Sequence, residues 1–390
     1  MSATFVSEGM VDRIRDRLAR ENSAPTPSRV AAALRSEGVI LGDAAVLEMV
    51  VALRSELAGA GPLEPLLRES GVTDVLVNGP DSVWVDRGSG PTLEPVTFRD
   101  EPAVRRLAQR LAAAAGRRLD EATPYVDARM PDGSRLHAIL PPIATRGTCI
   151  SLRVPRRRVF TLTDLIDLGT LPPGGSRWLA ALVAARAAFL ISGGTGSGKT
   201  TLLSALLSIC DDRERMLIVE DSGELDPDHP HVVRLEVRPP NVEGQGHVSL
   251  RDLVRQALRM RPDRLVVGEV RGAVVVDLLA ALNTGHEGGC GTVHANSAAD
   301  VPARLEALAL AAGLGRDALH SQVAAGVDAV VHIDRDRGGR RTVAGIHTMR
   351  RRDDGLVVAE EAVSFSGAEV RHGPAAQRLA TRLGLEHQSP

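Results

Sequence analysis

Between residues 188 and 208 the chain passes from a short apolar run (188–192) through Gly193-Gly194-Thr195-Gly196-Ser197-Gly198-Lys199-Thr200 into a Leu-rich run (200–208). Strand, glycine-rich turn, then helix is an order that belongs to a parallel sheet covered by helices. The eight residues satisfy G-x-x-x-x-G-K-[ST] in full, a loop whose backbone N–H groups turn inward around a phosphate chain. Lys199 is the sole lysine among 47 Lys and Arg residues. A guanidinium is a wide planar fork, whereas an ammonium is a compact charge on a flexible stem. Only the ammonium fits inside a loop drawn tightly around phosphates. The loop therefore predicts a nucleotide site. Gly193, Gly194, Thr195, Gly196, Ser197, Gly198, Lys199, Thr200 and Thr201 form its cradle. Lys199 reaches the β- and γ-phosphates, and the Thr200 hydroxyl ligates Mg²⁺.

The pattern after residue 176 alternates strand and helix. Strands are expected at 188–192, 216–220, 232–237, 265–268 and 292–294, with helices around 249–260, 273–283 and 301–313. That is an α/β domain with a mostly parallel sheet covered on both faces, whose ligands bind beyond the carboxyl ends of the strands. Each further motif falls at such an end. In 264–271 the apolar run stops at Gly268-Glu269, followed by Arg271. Glu269 can polarise an attacking water or hold Mg²⁺ through water, and Gly268 leaves space for a phosphate. The segment 218–225 carries Glu220, Asp221 and Glu224. Glu220 reads as an active-site carboxylate with Asp221 and Glu224 behind it, although such a cluster also caps helices. The glycine-rich stretch 285–296 holds His286, His294 and Asn296. A histidine there can sense a γ-phosphate by hydrogen bonding. Zinc is the other reading, together with His229, His231 and His247, but no ligand spacing matches a zinc pattern.

Upstream, 8–20 and 44–58 read as amphipathic helices, making 1–59 a helical N-terminal extension. Residues 60–155 form a smaller α+β domain: Val75-Leu76-Val77 and Val83-Trp84-Val85 flank an Asn-Gly-Pro turn, and 103–115 is helical. Residues 156–176 have the Pro/Gly composition of a linker with one short helix, 162–168. The run Arg156-Arg157-Arg158 is either solvated surface or a phosphate or partner contact. The α/β domain is 177–390.

A net charge of −2 provides no general attraction for nucleic acid, and 2% aromatic residues leave few rings for stacking bases. Cys149, Cys210 and Cys290 are odd in number and lack a CxxC pair, which fits buried thiols in a reducing compartment. The apolar stretches at 179–192 and 274–282 are interrupted by Arg186 and Asp277. A cytoplasmic protein is expected.

These four elements, in this order, resemble the Walker A, Asp box, Walker B and His box of the type II and type IV secretion ATPase superfamily. The runs 237–246 and 258–264, with 72–79, 127–135 and Pro141-Pro142, look like its CpaF/TadA branch, the ATPases of Flp/Tad pilus assembly. The resemblance spans roughly residues 60–365. It implies a RecA-like P-loop ATPase domain with an α+β N-terminal domain, and a homohexameric ring driven by ATP and Mg²⁺. It also implies a site at the peripheral, inner face of the cell membrane and an inner-membrane platform protein as partner, while the low aromatic content and small net charge argue against direct contact with nucleic acid. Nucleotide would lie between the two domains, and Arg129, Arg135 and Arg153 correspond to the arginines that complete the site. The catalytic set is then Glu269, Glu220, Lys199, His294 and Arg271 with those three arginines. Two positions depart from the family: Val274 stands where an acidic residue is common, and Gly289-Cys290 where serine and a larger apolar residue are usual. The competing expectations are a conjugal DNA-transfer ATPase and a non-hydrolysing, ATP-dependent assembly switch.

Overall fold

The computed structural model describes residues 26–37, 59–154, 159–238, 245–285, 288–336, 338–367 and 369–385, with isolated positions before residue 59 and Pro240. The expected helices at 8–20 and 44–58 fall largely outside these residues, as do Arg156-Arg157-Arg158, His286 and part of 237–246. The chain divides into two compact units, 1–156 and 157–390.

The first unit is built on an antiparallel six-stranded sheet: β1 (Asp74–Val77), β2 (Val83–Asp86), β3 (Pro91–Glu94), β4 (Tyr125–Arg129), β5 (Arg135–Ile139) and β6 (Cys149–Arg153), in the order β3-β2-β1-β6-β5-β4. Alternation sends Val75, Val77, Val83, Val85, Val126, Ala128, Leu136, Ala138, Ile150 and Leu152 into one core. The helix Glu101–Ala114 covers that face with Val104, Leu107, Ala108 and Leu111, the i, i+3, i+4, i+7 stripe of an amphipathic helix. Asp100 starts the helix by accepting a hydrogen bond from the Ala103 N–H at 2.8 Å. Ile14, Val30, Leu34, Val46 and Val50 form a separate small cluster around the helix Pro27–Ser36.

The second unit carries a nine-stranded sheet in the order β15-β14-β13-β12-β7-β11-β10-β8-β9. Its parallel part comprises β7 (Phe189–Gly193), β8 (Met216–Glu220), β9 (Val232–Glu236), β10 (Arg264–Val267), β11 (Cys290–His294) and β12 (Ala329–Arg335). β13 (Arg341–Arg351), β14 (Val357–Ser366) and β15 (Glu369–His372) extend it in antiparallel fashion. Every residue of β7, β8 and β10 is buried, as strands covered on both faces require. Phe189, Ile191, Met216, Ile218 and Val331 point into one core, beneath the helices Pro173–Ala184, Lys199–Leu207 and Ala376–Leu383. Leu190, Leu217, Val219, Leu265, Val267 and Val330 point into the other, beneath Leu250–Ala257, Val274–Leu282, Val301–Ala311 and Arg316–Gly326.

Two features differ from the sequence expectations. The stretch read as a linker belongs to the second unit, because Leu165 and Leu171 are buried in its core at 3% and 1% exposure. Its Thr161 and Asp164 form a capping box at the start of the helix Leu162–Asp167, and Pro172-Pro173 opens the next helix rather than breaking the chain. The strand–helix alternation also gives way after residue 326 to the antiparallel meander β12–β15.

Candidate nucleotide site

The strand order β7-β11-β10-β8 sets four loaded strand ends side by side. His294 is in register with Gly193, Val267 with Gly291, and Val267 with Val219. The phosphate loop leaves β7 and closes on the helix Lys199–Leu207. Gly198 holds φ at +101°, a left-handed conformation that any side chain would strain. At Gly193 the constraint is space: a Cβ would stand 2.3 Å from the Ile333 carbonyl oxygen of β12. The Lys199 ammonium donates to the Gly193 and Gly194 carbonyls at 3.0 and 2.7 Å. It is 7% exposed, and burial holds its pKa below the usual lysine range, assisted by Arg271 and opposed by Glu269 and Glu224. A desolvated ammonium without a carboxylate against it is poised for an anion. Beneath the loop the Ser197 hydroxyl is buried, with no hydrogen-bond partner among the described residues.

His294 bridges Lys199 to the neighbouring strand end. Its Nδ1 lies 3.5 Å from Lys199 Nζ and its Nε2 lies 3.0 Å from Glu269 Oε1. Burial lowers the His294 pKa, and the Lys199 charge lowers it further. A neutral ring that donates from Nε2 and accepts at Nδ1 satisfies both neighbours. Arg271 grips Glu269 in a two-pronged pair, Nε to Oε1 and Nη2 to Oε2, the latter at 2.5 Å. Lys199, His294, Glu269 and Arg271 thus form one continuous chain of contacts.

Glu220, at the end of β8, is 4% exposed, and burial raises its pKa to about 7. Oε1 accepts from the Glu224 and Leu225 N–H groups, both at 3.0 Å, while Oε2 is buried with no partner among the described residues. Glu224 binds Glu220 through its backbone N–H, and its carboxylate charge adds to the upward shift, although its side chain and that of Asp221 are exposed. Gly268 does not leave space for a phosphate. A Cβ there would lie 2.5 Å from Glu220 Cγ, so the missing side chain admits Glu220 instead. Thr200 and Thr201 open the helix, half-buried. Cys290 is fully buried in β11, which pushes its thiol up to about 12, so it acts there as packing.

The residues present suit magnesium. It takes hard oxygen ligands, keeps several as water or phosphate oxygens, and needs only a hydroxyl and one or two carboxylates from a protein. Thr200 and Glu269, the latter through water, supply that donor set. Among the described residues no group of three or more His, Cys, Asp or Glu side chains is placed to hold a metal ion by itself.

The opposite flank of β7 escapes sequence reading. Ser192 Oγ is 2.8 Å from His332 Nδ1, and His332 Nε2 is 3.0 Å from Asp334 Oδ1. This serine–histidine–aspartate chain resembles an acyl-transfer triad, but Ser192 is wholly buried inside the sheet and no substrate can reach it. It ties β12 to the strand that carries the loop. Arg341 Nε donates to the Gly196 carbonyl at 3.1 Å. No local motif marks these residues.

In the first unit, Arg129 faces Arg135 across the β4–β5 ladder, and Arg135 faces Arg153 across β5–β6. The three arginines form one row over three strands. Asp127 holds Arg135 at 2.7 and 3.0 Å, and Asp74 accepts from Arg153 Nε at 3.2 Å.

A family model, "Type II/IV secretion system protein", matches residues 56–336. The chain belongs to this family of secretion-system proteins. A putative conjugal transfer protein of Mycobacterium tuberculosis is 58% identical over 80% of this chain and 90% of its own length. The type IV secretion system protein PtlH of Bordetella pertussis is 33% identical, over 73% and 92%. Among solved structures, the ATPase DotB of Legionella pneumophila has a TM-score of 0.50 at 20% identity, covering 81% of each chain. The pilus retraction motor PilT with bound ADP has a TM-score of 0.51 at 18% identity, covering 83% of this chain and 85% of its own. These likenesses establish the fold of this secretion-family chain: a RecA-like P-loop ATPase domain preceded by a smaller α+β domain. Among the described residues no helix is long and apolar enough to cross a membrane.

Proposed function

We propose that this secretion-family protein is a Mg²⁺-dependent ATPase, a homohexameric motor that drives Flp/Tad-type pilus assembly or type II/IV secretion. It works from the cytoplasmic face of the inner membrane against a platform protein. The carrying observation is the contact chain Lys199–His294–Glu269 beside the phosphate loop. A nucleotide seated in the loop presents its terminal phosphate to that chain. Lys199 exchanges its carbonyl partners for phosphate oxygens, and His294 registers the exchange through Nδ1. Mg²⁺ would sit near Thr200 and the carboxylates and would neutralise charge on the phosphate oxygens. Glu269 orients the attacking water while Arg271 fixes its carboxylate. Glu220, with a pKa of about 7, is matched to accept a proton near neutral pH. Arg129, Arg135 and Arg153 are the proposed source of guanidinium charge on the transferring phosphoryl group, from the same or a neighbouring subunit.

The test is phosphate release from ATP by the full-length chain, with and without Mg²⁺, alongside its mass in solution with nucleotide. Turnover that persists unchanged in Lys199→Ala and in Glu269→Gln overturns the ATPase reading, and a chain that stays monomeric with ATP overturns the ring. Tight ATP binding without phosphate release in an assembled hexamer supports the assembly switch instead. The names of relatives such as the M. tuberculosis protein favour a second reading, a conjugal DNA-transfer ATPase. A severalfold rise in turnover with single-stranded DNA, and none with membrane partners, selects it.

A further inference from the structure

The reactive groups of the second unit all lie on one side of the phosphate loop. His294 is on β11, Glu269 follows β10 and Glu220 ends β8, and these strands stack in that order away from β7. If the ATPase reading holds, the terminal phosphate faces this side. The nucleoside must then leave the loop on the other side, toward β12 and β13. Two arginines stand there, opposite one another in the β12–β13 ladder: Arg335 and Arg341. Arg341 bonds the Gly196 carbonyl at 3.1 Å, and a Cβ on Gly198 would come 3.2 Å from its Cδ. A Cβ on Gly196 would come 3.2 Å from Arg335 Nη1, and one on Gly339 would come 3.6 Å from Arg335 Nη2. The Arg335 guanidinium is therefore lodged between the phosphate loop and the hairpin turn.

We propose that Arg335 and Arg341 form the nucleoside side of the site. Arg341 positions the loop by holding the Gly196 carbonyl outward, which leaves the loop N–H groups free to face phosphate. Arg335 contacts the ligand itself: its planar guanidinium offers its face to the base. A guanidinium stacks on an aromatic plane, a task that an ammonium performs poorly. In a chain with 2% aromatic residues, where Phe189 and Trp178 are committed to the core, arginine is the planar group at hand. The inference rests on the ATPase reading only for the direction in which the nucleotide lies.

The test compares Mg²⁺-ATP, Mg²⁺-ADP and Mg²⁺-tripolyphosphate binding to the full-length chain by calorimetry. Tripolyphosphate fills the loop but has no nucleoside. Arg335→Ala is expected to weaken ATP and ADP about tenfold while shifting tripolyphosphate by less than about twofold. Arg335→Lys should restore little, because it keeps the charge and loses the plane. Arg341→Ala, acting through the loop, is expected to weaken all three ligands, and Arg341→Lys to recover part of each. Equal losses for all three ligands in Arg335→Ala, or no loss, overturn the inference, as does a wild-type chain that binds tripolyphosphate as tightly as ATP. A wild-type chain that binds ATP more tightly than tripolyphosphate yet hydrolyses none overturns the ATPase reading alone.

Discussion

The two flanks of β7 solve opposite problems. On the β11–β10–β8 flank the polar groups are left wanting: Lys199 has two loop carbonyls and a neutral His294 ring but no carboxylate against it, and Glu220 Oε2 has no partner among the described residues. On the β12 flank Ser192, His332 and Asp334 complete one another, and Arg341 caps a loop carbonyl. Buried polar atoms lacking partners are destabilising, and a fold tolerates them where a ligand will complete them. One flank is built to react and the other to hold still.

The largest break in this contrast is expected from Lys199→Ala, which should lower ATP turnover at least about 10³-fold and abolish tripolyphosphate binding, measured by phosphate release and calorimetry. Glu269→Gln should lower turnover about 10²-fold or more with ATP still bound, since Gln keeps the size and loses the charge. Retained turnover there would move the water-orienting role to Glu220. Among Arg129→Ala, Arg135→Ala and Arg153→Ala, at least one should cost about tenfold or more in kcat, and three unaffected rates would leave the first-unit row without a catalytic part.

On the reactive flank pH acts on stability through Glu220. Glu220 is an acid whose pKa rises on folding from 4.5 to about 7. Between those values the native state holds a proton that the unfolded chain has lost, so stability falls as pH rises through this window. Fully developed above pH 7, the cost is roughly 3 kcal/mol. Glu220→Gln should therefore be more stable than the parent at pH 8 and lose that advantage at pH 4, read from urea midpoints. An advantage equal at both pH values would break the assignment. The smallest effect belongs to the quiet flank: Ser192→Ala removes the His332 Nδ1 partner and should cost about 1–2 kcal/mol, read from urea midpoints.

The reactive flank was legible because its residues announce themselves locally. The Gly193–Thr200 spacing, Glu269 after an apolar run, and Glu220 and His294 at strand ends each require only their neighbours to be noticed. The supporting flank was not. His332 and Asp334 sit in an alternating strand like many others, and Arg341 is one arginine in a chain that uses it for nearly all positive charge. The linker reading failed for a related reason: Pro and Gly mark a local break, but Leu165 and Leu171 belong to the core by virtue of contacts made far along the chain.

By itself the sequence determined the phosphate loop, the α/β class and the identity of the groups that bear charge, since these depend on residue type and short spacing. Only the tertiary structure decided which strand ends adjoin. The order β7-β11-β10-β8 is not the order in the chain, and it brings His294 between Lys199 and Glu269. The register of β4, β5 and β6 likewise aligned three arginines that sequence distance keeps apart. Burial then did what no motif encodes. It took water away from Lys199, His294 and Glu220, and the loss of solvation shifted each of them in favour of its uncharged form.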